Sequence, residues 1–258
     1  MRMSQATFSK PLRADVIGER ASPSLSAAYG GQHPTSGAVA ANSTAPFAGS
    51  HIPRSVVVAK RALDIVLALT ALLLTAPLWP LLVLAIRLDS PGPAMFRQLR
   101  VGRVRPDRTE LFVMLKFRSM RVDAEAQTGA AWATKADPRI TRVGIVLRKI
   151  RLDEIPQLLN VLRGEMSIVG PRPERPGFYG RLTTAIPAFA ERTAGLRPGI
   201  TGLAQVRQGY DSSIEDVRRK VALDRAYALR LGSVLDALHA DLTIIARTFT
   251  VVLTGRGQ

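Results

Sequence analysis

The stretch "IVLALTALLLTAPLWPLLVLAI", Ile65 to Ile86, runs for 22 residues without a charge, and it restricts the fold of this chain more than any other segment. A run of that length suits one bilayer crossing. Pro77 and Pro80 stand in its middle, and each removes a backbone donor and collides with the preceding helical turn. Divided before Pro77, the two arms would be roughly 18 and 15 Å long as helix, at ~1.5 Å per residue. Each is about half of a ~30 Å hydrocarbon core. Lys60 and Arg61 precede the run, while Arg87, Arg97 and Arg100 follow it. Basic residues on both sides fit a hairpin that enters and leaves a membrane by its cytoplasmic face. A kinked full crossing and a buried helical hairpin of a water-soluble protein are the two other readings.

The run divides the chain into three parts. Residues 1–54 are rich in Ser, Ala, Gly, Thr and Pro and lack apolar periodicity, so a disordered polar tail is expected. Residues 55–88 form the hairpin, and 89–258 form a folded, water-facing domain. "PAMFRQLRVG" and "TELFVMLKFRSM" alternate like strands and carry basic residues, which predicts a small basic sheet. Helices are predicted around 139–149, 154–163 and 213–231. Leu235, Leu238, Leu242, Ile245, Phe249 and Val252 recur at helical steps near the C-terminus. That stripe fits either core packing or a helix lying on a membrane surface. The fold class is therefore α+β, with amphipathic helices around the sheet.

Composition narrows the function. A net charge of +16 implies an anionic partner: nucleic acid, anionic lipid or phosphorylated substrate. Aromatic residues are only 5%, too few to supply stacking platforms for single strands, so no nucleic-acid partner is expected. There is no cysteine, which excludes disulfides, thiolate zinc sites and cysteine nucleophiles. His33, His51 and His239 lie too far apart for metal-ligand spacing. No Gly-Lys-Ser/Thr phosphate loop, GxGxxG, GxSxG or zinc-protease helix is present.

Four short groups could carry chemistry. In "RLDEIP", Asp153 and Glu154 follow Arg148, Lys149 and Arg151, and Pro156 suits the start of a helix, whose positive end would lie near both acids. They could act as nucleophile and ligand to a hard cation, or be ordinary first-turn acids. In "LKFRSM", Lys116 and Arg118 are two apart, and on a strand both would face one side. In "GPRPE", Pro171 and Pro173 fix the backbone that presents Arg172. In "GLRPGITG", Arg197 sits in a Gly- and Pro-rich turn. Each group also has a structural reading: a solvated basic edge or a tight turn.

In company, these stretches resemble the bacterial sugar transferases of the monotopic phosphoglycosyl transferase type. The resemblance runs from about Lys60 to Thr254 through "KRALDIV", "DSPGPAMFRQLRVG", "LKFRSM", "LDEIPQLLNVLRGEMSIVGPRP" and "LRPGITGLAQV", in the family's order. It implies a bacterial inner-membrane enzyme, its catalytic domain in the cytoplasm, with a re-entrant helix broken at proline (here Pro77 and Pro80). The implied reaction moves a sugar-1-phosphate from a UDP-sugar to polyprenyl phosphate, releasing UMP and initiating exopolysaccharide or another surface glycan. Asp153 matches the family's nucleophile, and Glu154 the residue that helps hold Mg²⁺. Lys116, Arg118, Arg151, Arg172 and Arg197 are the candidates for neutralising phosphate charge. Membrane lipids are implied partners, and a homo-oligomer is neither required nor excluded. Ala76 stands where the family often has serine, and Glu165 where it commonly has aspartate. "GYDSSIEDVRRKVALDRAYA" is similar to the exopolysaccharide-initiating branch and hints at a hexose donor. The rival reading is a membrane-anchored basic adaptor for anionic lipids or acidic partners. Such an adaptor has no need of the Asp-Glu pair.

Overall fold

The structure is a computed structural model that describes residues 52–105, 107–124, 137–208 and 213–254. The tail expected over 1–54 lies outside the described residues as far as residue 51. The apolar run forms two helices, α1 (Arg54–Thr75) and α2 (Trp79–Asp89), joined by a 3₁₀ turn at Ala76–Leu78. Pro77 lies in that turn and cannot supply the donor that Leu73 would need; Pro80 falls in the first turn of α2, where a missing N–H costs nothing. Thr75 Oγ1 donates to the Ala71 carbonyl at 2.7 Å, a back-bond that bends helices. The hydroxyl absent at Ala76 is thus supplied one residue earlier.

The break is bordered by apolar side chains open to the surroundings: Leu73 and Leu74 are 75% and 74% exposed, and Leu81 is 65% exposed. This argues against the buried-hairpin reading, in which these leucines would be covered. The inner face touches the rest of the chain at three depths. Val56 packs with Tyr227, Leu231 and Ala237; Ala68 packs with Phe112, Leu158 and Met166; Ile86 packs with Phe117 and Leu147.

Strands β1 (Met95–Val104) and β2 (Thr109–Phe117) pair antiparallel, with Phe96 opposite Lys116 and Arg100 opposite Phe112. This is the expected basic sheet. A second, parallel pair joins β3 (Ser167–Val169) to β4 (Gly199–Thr201). A Cβ at Gly199 would overlap the backbone of Gly170, so only glycine lets the two segments approach. Helices α3 (Arg142–Lys149) and α7 (Ile214–Leu229) lie where helices are predicted. The helix predicted over 154–163 is shorter: both acids sit in a separate 3₁₀ turn, Leu152–Glu154, and Pro156 caps α4 (Gln157–Arg163). The three-residue strands β3 and β4 and the five-residue α6 (Leu203–Arg207) leave no readable period in the sequence; α5 (Pro176–Ala185), ten residues long with only Leu182 buried, shows no sustained apolar face either.

The last helix, α8 (Val234–Thr254), divides the predicted stripe between its two readings: Ile245 packs against the core, and other members of the stripe face outward. The buried residues of α8 are Ala237, Ala240, Asp241 and Ile244, whereas Leu235, Leu242 and Phe249 of the predicted stripe are exposed. Alanine allows close approach to Tyr227 and α1, and it leaves the larger side chains facing outward. The segments 54–89 and 234–254 are both long and apolar enough to cross a membrane.

Candidate active site

Arg151 has the left-handed backbone (φ 59°) that non-glycine residues seldom adopt. The chain reverses there after α3 and turns Asp153 and Glu154 inward, leaving them 7% and 8% exposed. Both border a cavity of about 520 Å³, within the range of small-molecule sites. One wall is the face of the β1–β2 hairpin that carries Gln98, Arg100 and Lys116; another is the Pro171–Glu174 segment; α5, α6 and α7 contribute Phe178, Gln205 and Lys220. Among the described residues that border it, ten are cationic and three are acidic, so the cavity favours a polyanion.

The two acids differ sharply. Glu154 accepts from Lys116 Nζ at 2.9 Å and lies 3.7 Å from Arg151 and 3.6 Å from Arg172. Burial by itself would raise its pKa, but Lys116, Arg172 and Arg151 outweigh burial and hold the carboxyl well below the usual range. Asp153 has no hydrogen bond or ion pair from any described residue. Burial pushes its carboxyl upward, the attraction of Lys116 opposes that shift, and the charge on Glu154 adds to it. A buried carboxylate without a donor holds its lone pairs free for an incoming electrophile.

A sequence profile described as bacterial sugar transferase matches residues 55–255. A UDP-glucose:undecaprenyl-phosphate glucose-1-phosphate transferase from Caulobacter vibrioides is 44% identical over 209 residues, covering 80% of this chain and 74% of the relative. The exopolysaccharide production protein PSS of Rhizobium leguminosarum bv. phaseoli is 44% identical over 206 residues, covering 78% of this chain and 98% of the relative. A UDP-N-acetylgalactosamine-undecaprenyl-phosphate N-acetylgalactosaminephosphotransferase from Aeromonas hydrophila is 43% identical over 198 residues, which are 77% of this chain but only 44% of the relative. The chain belongs to the bacterial sugar transferase family.

In this bacterial sugar transferase, Asp153, Glu154, Lys116, Arg151 and Arg172 come together around one cavity. Two predicted phosphate ligands do not turn to it. Arg118 lies one residue past β2, where strand alternation with Lys116 no longer holds. Although the residue borders the cavity, its guanidinium donates to the carbonyls of Ser90 (2.6 Å), Pro91 (2.7 Å) and Ile86 (3.3 Å) and so fastens the end of α2. Arg197 lies outside the cavity wall and donates to the Gly164 carbonyl at 2.8 Å, securing the end of α4 beside Arg61. Arg100, Glu174 and Lys220 were not predicted. Arg100 was legible, because it shares a strand face with Gln98 and Phe96, the partner of Lys116. Lys220 sits mid-helix, and nothing local marks it. Glu165 accepts from Asn160 Nδ2 at 2.7 Å, and Asn160 also bonds the β2 backbone at Val113 and Leu115. The longer acid thus serves the α4–β2 contact.

Proposed function

We propose that this enzyme transfers a sugar-1-phosphate from a UDP-sugar to polyprenyl phosphate through a covalent intermediate on Asp153. The observation that carries the reading is the unbonded, buried Asp153 carboxylate inside a cation-rich cavity. In the first step a carboxylate oxygen of Asp153 attacks the sugar-bearing phosphorus. The bond to the bridging oxygen breaks, and UMP leaves with that oxygen and the electron pair. In the second step a phosphate oxygen of polyprenyl phosphate attacks the same phosphorus, and the Asp153 carboxylate departs. The product is a polyprenyl diphosphate sugar. Lys116, Arg151 and Arg172 already face the acid pair and lie where charge on the phosphate oxygens needs neutralising.

The donor set fits Mg²⁺ in company with substrate. Among the described residues no group of three or more acidic or histidine side chains could hold a metal by itself. Magnesium usually takes one or two carboxylates and completes its shell with water and substrate phosphates. Glu154, kept ionised, would provide the protein ligand; the bound ion would supply further neutralisation of phosphate charge.

Residues 54–89 are read as a hairpin entering and leaving the inner membrane by its cytoplasmic face. Support comes from the packing of Val56 and Ile86, near its two ends, against two clusters of the rest of the chain, while the leucines at the break stay exposed. The relatives' names support an undecaprenyl-phosphate acceptor and a role in exopolysaccharide production.

The test is UMP release from a panel of UDP-sugars by purified protein with Mg²⁺ and polyprenyl phosphate. At least one donor is expected to give UMP, and Asp153→Asn to abolish it. No release with any donor would favour the adaptor.

A further inference from the structure

Pro171 and Pro173 lack N–H groups, so the segment that presents Arg172 can be tied down almost only through its carbonyl oxygens. Four consecutive carbonyls are each held. Pro171 O accepts from Gly199 N at 2.9 Å, and Glu174 O from Val101 N at 2.8 Å. Pro173 O accepts from Arg100 Nη1 at 3.0 Å, and the carbonyl of Arg172 itself from Arg192 Nη2 at 3.0 Å. Three of these donors belong to strands or to the cavity wall. Arg192 belongs to neither: it lies in the 3₁₀ segment Pro187–Thr193, and its side chain is 1% exposed.

The surroundings of Arg192 fix its direction. Nη1 donates to Asp224 on α7 at 2.8 Å, and Asp224 is equally buried. The guanidinium stacks over Phe189 at 4.5 Å. Nη2, besides meeting the Arg172 carbonyl, lies 3.4 Å from Glu174 Oε1, which Lys220 also binds at 2.9 Å. Burial would raise Glu174, but Lys220 and then Arg192 outweigh it and hold the carboxyl at about 2. A wholly buried ion pair is a weak source of stability compared with apolar packing of the same volume. Its attachment to the backbone oxygen of Arg172, whose side chain meets Glu154, supplies a different reason for it.

We infer that Arg192, oriented by Asp224, is a positioning residue that sets Arg172 against Glu154 and hence against the donor phosphate. The inference rests on the proposed role of Arg172 in phosphate neutralisation. It assigns Arg192 and Asp224, which touch neither the cavity nor substrate, to the catalytic geometry.

A double-mutant cycle tests it. Arg192→Lys keeps a cation for Asp224 but loses the second nitrogen that reaches the Arg172 carbonyl. In the otherwise natural enzyme we expect kcat/KM for the UDP-sugar to fall about tenfold, with KM rising; in an Arg172→Ala background the same change should cost less than about twofold. Equal losses in both backgrounds, or no loss in the natural one, would overturn the inference. Should the lysine variant fail to fold, Arg192→Met combined with Asp224→Leu removes both charges and runs the same cycle. Melting temperatures recorded alongside show whether the losses track folding. Arg172→Ala alone leaving kcat/KM unchanged would instead sink the phosphate reading of Arg172.

Discussion

Asp241 and Asp153 are both buried, 2% and 7% exposed, yet they sit in opposite surroundings. Asp241, beneath the apolar helix α1, pairs with Lys60 and accepts from Tyr227 Oη at 2.7 Å; Lys60 also reaches that hydroxyl at 2.7 Å. Asp64, a turn further along α1, accepts from Ser167 Oγ at 2.9 Å and Ile168 N at 2.8 Å. Both acids, Asp241 and Asp64, are matched, and the network ties α1 to β3 and α8. In the cavity Glu154 is matched by three cations while Asp153 beside it has no donor. A buried acid left unmatched is costly. The proposed nucleophilic role of Asp153 accounts for its persistence, as anchoring accounts for the matched acids.

Substitutions can break this contrast. The largest effect is expected from Asp153→Asn, which should cut UMP formation by at least ~10³-fold while the protein stays folded. Residual activity within tenfold of the natural enzyme would place the nucleophile elsewhere. Next comes Lys60→Met, which leaves Asp241 uncompensated and should destabilise by about 3–5 kcal/mol, with Asp241→Leu added to it recovering most of the loss. Turnover per folded molecule should stay unchanged, and a denaturant melt beside an activity titration reads both. Smaller effects should separate two arginines. Arg172→Ala should raise the donor KM roughly tenfold, whereas Arg118→Ala should lower the melting temperature at unaltered KM, since its bonds go to the end of α2.

The smallest effect is the most diagnostic in sign. Asp153 has a raised pKa, so above its ordinary value of 3.8 its ionised form costs stability. Asp153→Asn should therefore raise the melting temperature at pH 7, by about 2–4 °C for each ~1 kcal/mol relieved. The gain should vanish as the pH falls below 3.8 and the acid protonates in both states. Glu174 behaves oppositely: its carboxyl is depressed from 4.5 to about 2, so its contribution is full above 4.5 and disappears as the pH falls towards 2. A melting series from pH 7 downward that showed no gain for Asp153→Asn would remove the electrostatic contrast.

Legibility in the sequence followed the range of the interactions. The proline break, the β1–β2 hairpin and the inward face of Lys116 depend on neighbours one to four residues away, and they could be read. Arg118 misled because the two-residue rule ends with the strand at Phe117. Arg197 misled because a rigid turn fixes a direction without revealing which way it points. The C-terminal stripe fitted two readings, and only the fold shows that small residues such as Ala237 and Ala240 make the close contact of α8 while several of its leucines face outward. Arg192 and Asp224 left no local trace: the carbonyl they serve is 20 residues from Arg192 and known only through the fold.

The central claim is that Asp153 carries the sugar phosphate. Protein incubated with a competent UDP-sugar and Mg²⁺ but no acceptor, then acid-quenched and weighed intact and as peptides, tests it directly. The account predicts a mass increase equal to one sugar phosphate on the peptide holding Asp153, absent from Asp153→Asn and lost on adding polyprenyl phosphate. UMP formed without any adduct, or an adduct on a different residue, would contradict it.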